Sequence, residues 1–309
     1  LIVLNKVSVK GIWYNRMSSH RDEETIIENF DWNQLSLEQL KLLQSQIIKA
    51  IDLKIRDLKL TQSTANLSKV HRYKASLAKV FPRRLRSSLS DYQNCFFIIS
   101  LGSRNFVDSE RLEASIKWIS EHFKACLVLV CDSIYRLTIE LRQGLKGDEA
   151  WLEAIRTGET FINQNRFLFQ QYSGSCQFQF QMASQIENQS EFEIYYKDFQ
   201  GLYQKDESFQ RMVNSFAQTY LNRGEQSEEE EVEQLLQRQK HLAITYLLEE
   251  SAVFTCLAKE GWPVFVYPGS IKTFEEIAEG LHPEVPLPLK QMIWVSLRLK
   301  RKATAGESI

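Results

Sequence analysis

Short, unbroken apolar runs alternate along this chain with longer stretches of helical period. Cys95-Phe96-Phe97-Ile98-Ile99 runs straight into Ser100-Leu101-Gly102-Ser103. A continuous apolar run closed by turn residues predicts a strand buried on both faces. Leu127 to Cys131 is a second run, ending at Asp132, and Val264-Phe265-Val266-Tyr267 is a third, capped by Pro268-Gly269-Ser270. Met292–Leu299 reads as a final strand. Between the first two runs, Leu112, Ile116, Ile119 and Phe123 share one face of a helix expected over about Ser109–Lys124, with Asp108 at its N-cap. Strand, helix and strand in this order default to parallel pairing through a right-handed crossover.

Further helices are expected over 148–172, as one or two segments over Ser190–Tyr220, over about Glu229–Leu257, and near Thr273–Gly280. Gly174, Asn222-Arg223-Gly224, and Gly261 with Pro263 punctuate them. Phe178 and Phe180 alternate with glutamines, which reads as an exposed strand or an extended link. Upstream, a helical pattern runs from Ser36 to about Leu60, and residues 7–14 suit a short strand.

Composition narrows the class. The 309 residues are 43% hydrophobic and 25% charged, ordinary globular material with a net charge of −1. Five scattered cysteines, with no CxxC pair, read as reduced and mostly buried thiols of a cytoplasmic protein, not as a disulfide framework or zinc site. No run of about 18 apolar residues predicts a membrane span. The chain does not begin with Met, which suits a truncated start. The near-neutral total hides one local excess. Between Leu58 and Ser90 there is no acidic residue, while Lys59, Lys69, Arg72, Lys74, Lys79, Arg83, Arg84 and Arg86 are basic, with His71, Tyr73 and Phe81 interleaved. Such one-sided charge suits a polyanion such as nucleic acid; the alternative is a solvated helix face or an arm.

Ser100 falls at the C-terminal end of its strand, the edge where open parallel sheets bind ligands. Gly102 lets the backbone turn there and approach a ligand. The alternative is a βα turn with an incidental serine. Five histidines are scattered along the chain, so a Ser-His-Asp triad does not assemble by spacing. The GxSxG elbow, GxGxxG, Walker and HExxH motifs are absent, and no cofactor or metal is indicated. Tyr246 and Glu250, four apart on the long helix, share a face. A carboxylate and a phenol so placed can hold an amine; the alternative is a surface pair beside an exposed Glu249. Tyr267, at another strand end, shares the Ser100 edge if the sheet is parallel.

Taken in order, Ser100-Leu101-Gly102-Ser103, Tyr246 with Glu250, and Tyr267-Pro268 resemble the tRNA-dependent cyclodipeptide synthases over roughly residues 94–300. Each motif is short. Their order and the 146 residues between Ser100 and Tyr246 carry the likeness. That family divides by three positions into a group with Asn, Tyr and His and a group with a variable residue, Tyr and Pro. Ser103, Tyr267 and Pro268 resemble the second.

The resemblance implies a Rossmann-like α/β fold, a mainly parallel sheet flanked by helices, similar to the catalytic domain of class I tyrosyl- and tryptophanyl-tRNA synthetases but without their ATP-binding signatures. The domain would occupy 91–302, after a helical and basic extension over 1–90 and before a disordered tail over 303–309. The substrates would be two aminoacyl-tRNAs, used by a monomer without membrane, metal or cofactor. Ser100 would take the first aminoacyl group, its amine would attack the second aminoacyl-tRNA, and the dipeptidyl ester would close to a 2,5-diketopiperazine. Glu250 and Tyr246 would hold the α-amino group. Tyr267 would position the serine or relay a proton, and backbone N–H groups near Leu101–Ser103 would face the oxyanion. With no histidine base, a ribose hydroxyl of the leaving tRNA would accept the proton. Gly102, Ser103 and Pro268 would border the substrate. The first side chain would meet Phe96, Ile98, Leu129, Cys131, Val253 and Phe265, which suits a small apolar residue such as alanine.

One departure stands out. Many members carry a strongly basic helix for tRNA after the second strand, whereas 148–172 holds Asp148, Glu149, Glu153 and Glu159 against Arg156 and Arg166. The tRNA contact is therefore expected from Lys74, Lys79, Arg83, Arg84 and Arg86, with Lys300–Lys302. Two rivals remain: a non-catalytic RNA-binding protein with a Rossmann-like core, and a serine acyltransferase or hydrolase of small esters. Neutralising Arg83, Arg84 and Arg86 is expected to weaken tRNA binding and lower its salt dependence, read by filter binding at several salt concentrations. Unchanged binding would refute the assignment.

Overall fold

The computed structural model describes residues 72–221 and 232–302, without the side chains of 232–236. The expected helix from Ser36, the short strand over 7–14, Lys59 and Lys69, and the tail over 303–309 lie outside the described residues. The strands are β1 (Tyr73–Phe81), β2 (Asn94–Ile99), β3 (Ala125–Val130), β4 (Gln177–Met182), β5 (Val264–Tyr267) and β6 (Ile293–Arg301). They form one sheet in the order β1-β6-β5-β2-β3-β4. β1 runs antiparallel to β6; the other neighbours are parallel.

The helices are α1 (Arg104–Val107), α2 (Ser109–His122), α3 (Asp132–Gln143), α4 (Asp148–Gln170), α5 (Ala183–Glu187), α6 (Ser190–Lys205), α7 (Glu207–Leu221), α8 (Val232–Lys259), α9 (Lys272–Ala278) and α10 (Leu287–Lys290). Strand residues alternate between faces, so the apolar runs serve two layers. Phe96, Ile98, Leu129, Phe265 and Trp294 pack against α6, α7, α8 and α9. Phe97, Ile99, Val128, Val130 and Val266 pack against α2 and α4 on the other face. Asp108 caps α2, accepting hydrogen bonds from the N–H groups of Glu110 and Arg111.

Two features depart from the sequence reading. The boundary after residue 90 falls inside the folded unit, because β1 pairs with β6 from Tyr73 opposite Arg301 to Phe81 opposite Trp294. β1 lies at the sheet edge and turns lysines to solvent, so its few buried residues, Ala75, Val80 and Phe81, leave a weak apolar pattern. The second departure is α3, a helix the sequence reading leaves out although Ile134, Leu137 and Ile139 lie on its buried side; that side opens with the polar Asp132 and Ser133. The Phe178/Phe180 stretch, read as an exposed strand or an extended link, is the opposite edge strand β4, parallel to β3, with both rings against Phe169.

The parallel strands fix where the chain reverses. From β2 it moves outward to β3 and β4, then returns to β5 on the other side of β2. The C-terminal ends of β2 and β5 therefore flank the switch point of the sheet, where an open crevice forms. Elsewhere, α3 and α4 pack through one close approach. A Cβ at Gly158 of α4 would lie 2.8 Å from Asp132 Cβ, at the start of α3. Gly158→Ala is expected to cost ~1–3 kcal/mol in urea unfolding through overpacking. Gly201→Ala on α6, where a Cβ meets nothing within 4 Å, is expected to be neutral or slightly stabilising.

Candidate active site

The chain leaves β2 at Ser100 through a tight turn: the Ser103 N–H donates to the Ser100 carbonyl at 3.1 Å. Gly102 takes φ +78°, and a Cβ there would stand 3.0 Å from Tyr135 Oη. Both conformation and space require glycine. Because the Ser103 N–H is used inside the turn, the expected oxyanion donors narrow to Leu101 and Gly102.

β5 ends at Tyr267, beside that turn. Its ring packs against Phe106 and Phe265, with centroids 6.0 and 6.1 Å away. Asn105 ties the two strand ends together. Its Nδ2 donates to the Pro268 carbonyl at 2.7 Å, and its Oδ1 accepts from Arg111 Nη1 at 2.8 Å. The sequence carries no signal for this bridge, since Asn105 and Pro268 are far apart in the chain.

Tyr246 and Glu250 come from α8, and neither is a surface residue. The Tyr246 ring lies 5.1 Å from Tyr220 and 6.1 Å from Phe216 of α7. Burial, then the neighbouring Glu250, pushes the Tyr246 phenol well above its ordinary range, so it stays protonated. Glu250 is only 4% exposed, and burial pushes its carboxyl up to about 8. Among the described residues no cation pairs with it. Glu249, one position earlier, is also buried but has its counterion. Arg136 of α3 grips it through two hydrogen bonds of 2.9 and 2.5 Å and donates to the Ser133 carbonyl at 2.8 Å. The reading of Glu249 as exposed is thus overturned. Of two adjacent buried carboxyl groups, Glu249 has a counterion and Glu250 has none among the described residues.

Ser100, Tyr246, Glu250, Tyr267 and Ile98 line one cavity of about 550 Å³ with Met212, Phe216 and Tyr220 of α7. The other residues expected around the first side chain, Phe96, Leu129, Cys131, Val253 and Phe265, are buried in the core. Phe96, Phe254 and Phe265 interlock at centroid distances of 5.3–5.6 Å. His282, which spacing could not place, borders the same cavity with Nε2 3.8 Å from Glu276 Oε2. Its Nδ1 is buried without a hydrogen-bond partner, so no serine–imidazole–carboxylate relay is assembled. Among the described residues, no cluster of His, Cys, Asp or Glu has the form of a metal site, and no helix is long and apolar enough to cross a membrane. All five cysteines are buried and free.

The expected basic residues lie along β1 and the turn after it. Lys79 Nζ stands 3.4 Å from Glu275 and Arg83 Nε 4.0 Å from Glu279, which also accepts from the Arg83 backbone N–H at 3.1 Å, so α9 and the residue after it answer part of the charge. Arg86 donates to the Ala78 carbonyl. Lys74 and Arg84 are exposed.

No family model matches this chain, and no curated protein matches it in sequence. Solved structures do: the fold is that of the cyclodipeptide synthases. A synthase from Fluoribacter dumoffii superposes with a TM-score of 0.62 at 24% identity, over 75% of this chain and 100% of its own. One from Bacillus thermoamylovorans gives 0.54 at 16% identity, over 76% and 100%. One from Candidatus Glomeribacter gigasporarum, bound to Phe-tRNAPhe, gives 0.51 at 17% identity, over 73% and 94%.

The buried Glu250 gives a test that needs no substrate. Its folded carboxyl, near 8, binds a proton that an unfolded carboxyl has released. Wild-type stability is therefore complete below the ordinary carboxylate range and falls as pH rises through about 8. Glu250→Gln is expected to remove that fall, gaining on the order of a few kcal/mol over the wild type between pH 5 and pH 9, at about 1.4 kcal/mol per pKa unit. Parallel urea-unfolding profiles for the two proteins would contradict it.

Proposed function

We propose that this chain is a tRNA-dependent cyclodipeptide synthase. The observation that carries the reading is the buried carboxyl of Glu250, which no described cation pairs with, placed on the cavity that holds Ser100 and Tyr267. An aminoacyl ester brings the missing partner, an α-ammonium, and a carbonyl for the serine.

The Glu250 carboxylate pairs with the ammonium and the Tyr246 hydroxyl adds a hydrogen bond, which sets the ester carbonyl toward Ser100. Ser100 Oγ attacks that carbonyl. The C–O bond to the tRNA ribose breaks, and the serine proton passes to the leaving tRNA, whose ribose hydroxyl is regenerated. The aminoacyl ammonium gives one proton to Glu250 and, as the free amine, attacks the ester of a second aminoacyl-tRNA; the peptide bond forms, the ester C–O bond breaks, and the second tRNA leaves with the proton the new amide nitrogen sheds. The new terminal amine attacks the seryl ester, closes the 2,5-diketopiperazine and frees Ser100. Tyr267, clamped between aromatic rings beside the serine, positions the hydroxyl and relays the proton of the closing step. Each bond made is an ester or amide exchanged for an ester already activated by tRNA, so no ATP is consumed. The fold class shared with a synthase bound to Phe-tRNAPhe supports tRNA as the carrier.

The filled core behind Ile98 leaves a small first side chain as the best fit, with alanine the representative. Lys74, Lys79, Arg83, Arg84 and Arg86 serve as a tRNA contact, the exposed Lys74 and Arg84 foremost. The protein acts as a cytoplasmic monomer. The histidine without a relay disfavours the small-ester hydrolase.

Incubation with charged tRNA is expected to give an acyl-enzyme and a cyclodipeptide by mass spectrometry, both lost in Ser100→Ala. Glu250→Gln is expected to lower kcat/KM by about 10- to 100-fold, the range for a charge-assisted hydrogen bond. RNA binding without acyl-enzyme or product would favour the non-catalytic reading. A product set dominated by Trp, Tyr or Phe would overturn the small first residue.

A further inference from the structure

The Ser100 cavity is polarised. Its buried acid is Glu250, 4% exposed, and Glu276 is the second acidic residue on its wall. Its positive charges stand on two facing elements and reach into solvent: Arg211 on α7, with a side chain 75% exposed, and Lys272 on α9, 84% exposed. Each is held loosely by a carboxylate one turn away on its own helix, Arg211 by Glu207 at 3.9 Å and Lys272 by Glu276 at 3.4 Å. These are solvated pairs that an incoming anion can displace at small cost. Ser208, Ser215 and Thr219 continue the polar face of α7 beside Arg211.

A second cavity, about 470 Å³, adjoins the first and shares Lys272, Glu276 and the exposed Leu281 with it. Its other cations are Lys79, Arg83 and Arg86. Lys272 is thus the cation common to the reaction cavity and the basic turn after β1. Glu275 and Glu276 of α9, and Glu279 just after it, also line this second cavity and offset part of its charge; Glu276 borders the first cavity as well, where it pairs with Lys272.

An aminoacyl nucleotide has the same polarity as the Ser100 cavity. Its ammonium leads, the ester follows, and the first backbone phosphate comes within the span of one ribose. With the ammonium at Glu250 and the ester at Ser100, the phosphate falls toward the rim. We propose that Arg211 and Lys272 form a two-walled clamp on the terminal phosphates of the tRNA, and that the strand then leaves past Leu281 into the second cavity. The assignment rests on the synthase reading above and extends it to two residues outside the segment of one-sided charge.

The test uses the full chain with Arg211→Gln, Lys272→Gln and both, and with Lys117→Gln on α2 as a charge control. Three readings are taken. Binding of uncharged tRNA, followed against salt, is expected to lose about 1.4 from the slope of log K against log salt in the double variant, and nothing in the control. KM for aminoacyl-tRNA is expected to rise about tenfold with kcat held, the mark of binding lost equally from ground and transition states. Product formation from an aminoacyl ester of adenosine, which carries no phosphate, is expected to stay at the wild-type rate. An unchanged salt slope overturns the clamp, as does an equal loss with both esters or a change in which amino acids are joined. A wild-type protein that makes no cyclodipeptide from either ester overturns the synthase reading instead, while the salt slope still decides whether the two cations hold the polynucleotide.

Discussion

The parallel pairing of β2 with β5 is the constraint on which the site depends. Phe96 and Phe97 lie in register with Phe265 and Val266, so both strands end at the same edge of the sheet. Ser100 and Tyr267 are the residues at those ends. Because the chain runs outward from β2 and returns to β5, no crossover helix fills the space between them. Asn105 then bridges the two ends through the Pro268 carbonyl. A slip of one residue in either strand would move its side chains to the opposite face of the sheet and break the packing of Phe96 and Phe265 against α8.

Charge is distributed around that crevice with equal economy. α8 carries two successive buried carboxylates, and the fold neutralises one of them. Arg136 reaches Glu249 from α3 and stacks at 5.5 Å over Trp151 of α4, so the pair ties three helices together. Glu250, turned into the cavity, keeps its desolvation cost. Such an arrangement sacrifices stability at the place where a positively charged ligand restores it, a trade common at binding sites. Further carboxylates sit nearby behind α3. Asp132 accepts from the backbone and hydroxyl of Ser184, and Glu187 accepts from Ser133 Oγ at 2.6 Å, with burial and Glu249 pushing Glu187 up to about 7. The polar start of α3 is therefore structural glue between α3 and α5.

The surface charge has a different fate. The basic run before β2 looks unopposed in the chain, yet it folds into an edge strand facing α9, where Glu275 and, just after the helix, Glu279 meet Lys79 and Arg83. Linear charge density overstates the local field when the compensating residues come from a distant segment.

What the chain alone determined follows from short-range physics. Apolar runs set β2, β3, β5 and β6; helical periods set α2, α4 and α6 to α9; and Asp108, one residue before α2, announced its cap. The order of Ser100, Tyr246 with Glu250, and Tyr267 was enough to place these residues on strand ends and a helix face. The tertiary structure decided what depends on through-space neighbours. It put β1 in the sheet through a partner more than two hundred residues away and buried α3 behind polar residues. It brought Asn105 to Pro268 and His282 to the cavity edge. It also separated Glu249 from Glu250, identical in type and adjacent in sequence, because only one of them faces Arg136.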